Sequence, residues 1–199
     1  MASQQTAPND NAVSRGSSVA ASAGLGVLAA AIGYLVTYVL IVSEVREAFG
    51  DDVADWKGVA WYFYNAHMVD VEASGAFGSF GGSSTVDFIA QSSASGADLL
   101  YVIPPLVLLT IGAILAVQWD VTDLGDAVVV GAPVTLGYAV VMALGALVAE
   151  SSTEIEVFGV AATGSIAPEF APALVLGGVL YPLVFATAGA VLAAVFNAR

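Results

Sequence analysis

Few residues in this chain are of a type that does chemistry. His67 is the single histidine, and there is no cysteine. Zinc takes three or four ligands, and a lone imidazole supplies one of them. Asp70 and Glu72 are near in sequence, but no second imidazole or thiol completes a set. A Ser-His-Asp arrangement through His67 is formally possible, yet no strand, Gly-x-Ser-x-Gly, helix context supports it. The expectation is therefore no enzyme, no catalytic residue, no metal and no cofactor. His67 and Asn65 are expected to bond loop backbone or interfacial water. A match to a dinucleotide fingerprint at Gly24-Leu-Gly26-Val-Leu-Ala29 lies inside an apolar run. It lacks the preceding strand that the motif requires.

Hydroxyls are the other polar resource. Thr37, Thr110, Thr135 and Thr187 fall one to each of four long apolar runs. They can line a polar path between helices. Alternatively, each bonds the carbonyl one turn back on its own helix. Pro105 and Pro182 are expected to kink their helices, which frees carbonyls or simply bends the helix to fit.

The elements that carry these residues are legible from charge. All the Asp, Glu, Lys, Arg and His residues lie outside Gly16–Ser43, Leu99–Trp119, Ala127–Ala149 and Phe170–Ala198. About 20 apolar residues cross the hydrocarbon core of a bilayer. Four spans follow, about 19–42, 99–118, 127–149 and 171–196. The fold class expected is an all-α membrane protein, with a four-helix transmembrane domain over 19–199. Residues 1–18 read as a disordered tail. The first run is too long for the h-region of a signal peptide. The absence of charge inside the runs also bears on mechanism, because proton relays and ion coupling depend on intramembrane charge.

Between spans one and two lies an outer loop, 43–98. Its first part contains Trp56 and then Trp61-Tyr62-Phe63-Tyr64-Asn65-Ala66-His67. This tract is too short to span, and its aromatics predict an interfacial helix, or one lying over the mouths of the spans. A strand through Trp61–Tyr64 is the competing local reading. Trp56, Trp61, Tyr62, Phe63, Tyr64 and His67 are the candidates for docking at the interface or against a partner. The second part, Ser74–Ala97, is rich in Gly and Ser and reads as loop.

Spans two and four share a register. Pro105-Leu-Val-Leu-Leu-Thr-Ile-Gly112 parallels Pro182-Leu-Val-Phe-Ala-Thr-Ala-Gly189. Gly33-Tyr34 of span one likewise parallels Gly137-Tyr138 of span three. The chain reads as two tandem span–loop–span repeats, the first with a much longer loop.

The net charge of −13 is carried by aqueous segments, and Lys57 is the only lysine. Without Lys/Arg clusters, nucleic acid and anionic membrane surfaces are not expected partners. Acidic loops with few lysines, the tract from Trp61 to His67, and the multi-pass layout resemble small uncharacterised multi-pass membrane proteins of halophilic archaea. That resemblance implies a cell-membrane location and an architecture, and it carries no residue roles. Basic residues are too few to orient the chain. Both termini are placed in the cytoplasm, so that the long loop faces out. Two functions are compatible with these features. One is a transport or permeation component for neutral solutes. The other is a non-catalytic structural or accessory subunit of an envelope complex. The partners expected are the bilayer and either a second copy or another membrane subunit.

Overall fold

The computed structural model describes residues 10–157 and 159–199. Four of its helical segments are long and apolar enough to cross a membrane: Ser18–Phe49, Ala97–Gln118, Leu124–Val148 and Phe170–Asn197. Their outer faces leave large apolar side chains exposed, Val39 at 78% and Leu147 at 61% among them. Four such helices with apolar outer faces suit hydrocarbon, and the chain is a membrane-embedded protein.

Span one is the helix α1, Asp10–Phe49. It begins inside the segment expected to be disordered. Residues 10–18 continue the helix, and 1–9 lie outside the described residues. Helix α2, Asp55–Asn65, carries the aromatic tract. After the short helix α3, Phe88–Gln91, span two opens as a 3-10 turn over Ala97–Val102 and continues as α4, Ile103–Gln118. Span three is α5, Leu124–Gly131, and α6, Val134–Val148, joined at Pro133. Span four starts with the one-turn helix α7, Phe170–Pro172, runs as a π-helix over Ala173–Leu180, and finishes as α8, Tyr181–Asn197.

Pro105 and Pro182 sit in the first turns of α4 and α8, so neither bends the middle of an α-helix. Each marks a change of helical pitch, from 3-10 to α in span two and from π to α in span four. Proline has no N–H to give, and it is tolerated where the hydrogen-bond register starts afresh.

The fold is not all-α. The segment expected to be loop forms a hairpin of β1, Val71–Phe77, and β2, Phe80–Val86. A second hairpin, β3 (Ser151–Val157) and β4 (Val160–Pro168), links spans three and four. The strands join in one antiparallel sheet of order β2-β1-β4-β3, with Val71 opposite Pro168 and Phe77 opposite Ala162. Gly78 and Gly159 take left-handed φ values of 60° and 78° at the two turns. Only Gly adopts these without strain. Val71 and Pro168 are buried where the sheet meets the bundle, whereas Phe80 at the far tip is 82% exposed.

Glycines set the distance between the spans. A Cβ on Gly112 would collide with the carbonyl of Ala186, and one on Gly189 would collide with that of Leu109. The pairing is reciprocal, since Gly112 and Gly189, and Leu109 and Ala186, hold matching places in the shared register. Spans one and three show the same exchange: Gly26 lies on the Val134 carbonyl and Gly137 on that of Ala23. In packing, Gly137 pairs with Gly26. Gly33 instead faces the ring of Phe63. Ser22 Oγ also reaches across, donating to the Val130 carbonyl at 3.0 Å.

Gly112→Val is expected to destabilise the bundle by about 1–3 kcal/mol, the usual cost of overpacking. Gly24→Ala, with nothing within 4 Å of the new Cβ, is expected to be neutral or slightly stabilising. Thermal unfolding in detergent compares the two.

Candidate functional site

Helix α2 takes up the second of the two expected places, over the mouths of the spans. It is seated in the mouth of the bundle, with every residue from Gly58 to Asn65 buried. A helix apolar all round belongs in a core, and this one meets a different neighbour on each side. A strand could offer its aromatics to only two faces. The Phe63 ring packs edge-on to Tyr34 of span one, with centroids 5.8 Å apart. Trp61 stacks on Phe88 at 5.7 Å and meets Phe49 edge-on at 5.3 Å.

The polar handles of the tract go to named partners. Trp61 Nε1 donates to the carbonyl of Ala149 at 3.0 Å, and Lys57 Nζ donates to that of Glu150. Both groups cap the carbonyl end of span three, which would otherwise lack partners. Tyr64 Oη donates to the Met142 carbonyl at 2.6 Å, against the gap that Gly145 leaves. Tyr62 Oη donates to Glu44 Oε1 at 3.3 Å. Burial, joined at Tyr62 by the nearby charge of Glu44, pushes both phenols well above the ordinary tyrosine range. Asn65 ties the helix to the sheet. Its Nδ2 donates to the carbonyls of Val69 and Val86, and its Oδ1 accepts from the N–H of Phe88.

His67 is the deepest polar group of the site and is fully buried. Its Nδ1 is 2.7 Å from the carbonyl of Phe63, which can only accept, so Nδ1 carries the hydrogen. Nε2 is then the acceptor, and Tyr138 Oη of span three donates to it at 2.6 Å. The ring packs against Phe63 at 4.6 Å and Tyr181 at 5.1 Å. Burial drives the imidazole pKa down to about 4, partly opposed by the bond to Phe63. The site thus holds a neutral histidine in one tautomer. The π-helical stretch of span four runs alongside, and Gly177 makes room there for the Cβ of His67 and the methyl of Met142. π-Helical turns are frequent at functional sites.

The tract candidates Trp61, Tyr62, Phe63, Tyr64 and His67 are brought together. Trp56 stays at the rim, 44% exposed, its carbonyl accepting from Tyr34 Oη at 2.9 Å. The threonines are not brought to one surface. Thr37 is buried and donates to the Gly33 carbonyl, one turn back. Thr110 is exposed on the outside of the bundle and donates to the Leu106 carbonyl. The hydroxyls of Thr135 and Thr187 are buried without a hydrogen-bond partner among the described residues. No group of three or more His, Cys, Asp or Glu able to hold a metal occurs among the described residues.

The family model that covers residues 1–197 is described as a family of unknown function, DUF7978. The chain belongs to that family. No curated protein and no solved structure matches it. Its geometry has to speak for it, and Tyr138 is the partner that the sequence reading did not single out. In the sequence Tyr138 stands out only through the parallel of Gly137-Tyr138 with Gly33-Tyr34. Its ring is buried against His67.

His67 gives a pH dependence. Its pKa is about 6.5 unfolded and about 4 folded, so the unfolded state takes up the proton first. Stability is complete above pH 6.5 and falls as pH drops toward 4, by roughly 3 kcal/mol for this group. The difference between wild type and His67→Gln, followed by thermal unfolding from pH 7 to 4, isolates it from the carboxylates. Tyr64→Phe is expected to cost about 1 kcal/mol, read by the same melts at pH 7.

Proposed function

We propose that the protein is a non-catalytic accessory subunit that presents its sheet to a partner outside the membrane. The observation that carries this reading is the unguarded edge of β2. Open edges pair with other strands, and proteins blunt them with charge or proline. On the opposite edge, β3 carries Glu154 and Glu156. The β2 edge reads Phe80-Gly-Gly-Ser-Ser-Thr-Val86, with no charge and no proline. Its residues from Phe80 to Thr85 are exposed. Such an edge suits a partner that adds a strand. The exposed rings of Phe77 and Phe80 give that partner an apolar contact at the tip.

The bundle supports the same reading. Trp61, Phe63, Tyr64 and His67 fill its mouth, and the threonine hydroxyls do not converge. The sheet is taken to face the cell exterior, with both termini in the cytoplasm of the cell membrane. The acidic segments around it suit a halophile, where carboxylates keep a surface hydrated in high salt. The tandem span–hairpin–span order, with α2 inserted in the first copy, and the reciprocal glycines support an origin by duplication.

Transport of a neutral solute is the second reading. It rests on the unpartnered hydroxyls of Thr135 and Thr187.

The chain has no native cysteine, so single-cysteine cross-linking in high-salt membranes tests the first reading directly. Gly82→Cys is expected to give a discrete cross-linked species, and Thr153→Cys on β3 is not. Gly82 has open space for a side chain. Lysines at Gly82 and Ser84 are therefore expected to dissolve the complex without lowering the melting temperature. Equal cross-linking from both edges would count against a specific edge. Proteoliposomes that leak a small neutral solute would favour the transport reading.

A further inference from the structure

Spans one and three touch at Gly26 and Gly137 and are held apart toward the sheet end, where α2 enters between them. The helix does not close the gap on its outer side. A cavity of about 410 Å³ remains there, floored by Phe63 and Tyr64 and walled by Ala31, Tyr34, Val141 and Gly145. Its volume is within the roughly 300–1,000 Å³ of small-molecule sites. The hydroxyls of Tyr34 and Tyr64 are both turned onto backbone carbonyls, so the lining presents hydrocarbon. The rim is open, with Val148 59% exposed. The groove runs along two membrane-spanning helices, so the medium outside it is lipid chain rather than water.

Just beyond the groove's lining, next to Trp56 and Val148, stand Lys57 and the acidic residue Glu150. Lys57 Nζ lies 5.5 Å from the ring centroid of Trp56 on the rim and donates one hydrogen to the Glu150 carbonyl. An ammonium carries three, which leaves two for an anionic oxygen. This is the sole lysine of a chain of net charge −13. A positive charge on this rim runs against the character of the rest of the surface. Polybasic clusters attract a whole anionic membrane surface. One cation at the head of one apolar groove suits a single molecule with a phosphate above a chain. We propose that this groove binds one bilayer phospholipid, with an acyl chain along the wall between spans one and three and the phosphate on Lys57.

The test uses the full chain purified in detergent. Lipid retention is read by native mass spectrometry with two probes, palmitoyl-oleoyl phosphatidylglycerol and the diacylglycerol with the same chains. Wild type is expected to hold one phosphatidylglycerol at least roughly tenfold more strongly than the diacylglycerol, as a charged hydrogen bond provides. Lys57→Gln should reduce phosphatidylglycerol to the level of the diacylglycerol. Ala31→Phe and Val148→Phe place a ring in the groove from exposed positions, and each should lower retention of both lipids. Monodisperse elution identifies the folded variants, and either groove variant alone decides the chain half of the proposal. Wild-type retention in a folded groove variant overturns it. So does a phosphatidylglycerol preference that survives in Lys57→Gln. A wild-type dimer that Ala31→Phe converts to monomer, with lipid retention unchanged, would assign the groove to a second copy and overturn it as well.

Discussion

Hydrocarbon gives apolar helices no reason to leave it for one another. The spans must therefore gain by packing closer to each other than lipid packs to them. Glycines meet that requirement, Gly131 against Thr187 and Gly178 against Ala139 among them, and two reciprocal pairs make the closest approaches. Gly26 with Gly137, and Gly112 with Gly189, let backbone rest on backbone in the half of the bundle nearer the chain ends. Close contact there leaves the other half to be filled. The rest of the fold answers that need: the buried helix α2, the ring cluster around Phe63 and Phe88, and the sheet that stands on them.

The filler is aromatic for a physical reason. A bundle mouth is part dry and part lined with helix-terminal carbonyls. Trp and Tyr each bring a large apolar body and one hydrogen-bond donor. Trp61 and Tyr64 spend that donor on carbonyls of span three. His67 is the exception, since it must accept as well as donate, and Tyr138 supplies the hydrogen. Both atoms of the pair are satisfied while neutral. An imidazolium would sit there without a carboxylate to balance it. The site is accordingly a fixed joint between the α2 segment and span three.

The spans were legible because charge is excluded from hydrocarbon at every position, which leaves a signal about 20 residues long. The shared register of Pro105 and Pro182 was legible too, and it marked where both helices change pitch. The sheet was not. Val71–Val86 is mostly Gly, Ser and Ala, with neither face covered by the bundle, so no alternation of apolar and polar residues announces it. Glu154, Ile155, Glu156 and Val157 do alternate, but a hairpin of this kind needs its neighbour, β1, from far away in sequence. The burial of α2 was hidden for a similar reason. Its aromatics suit an interface and a core equally, and the choice depends on the gap between spans one and three.

The first half of the chain cannot be finished without the second. Trp61 and Ala149 are 88 residues apart, and Ser74 pairs with Ser165 over a separation of 91. At about 5–20 residues per second of synthesis, the aromatic helix waits several seconds for the carbonyls it will cap. During that interval α2 has span one to rest on, where Phe63 meets Tyr34 and Tyr62 reaches Glu44, while its partners on span three are still to come. The chain order of the contacts follows: the partners of α2 on span one come first, those on span three next, and the β4 partner of β1 last. A chain that stops short of span three lacks the carbonyls of Met142 and Ala149, and the donors of Tyr64 and Trp61 are left to find other partners.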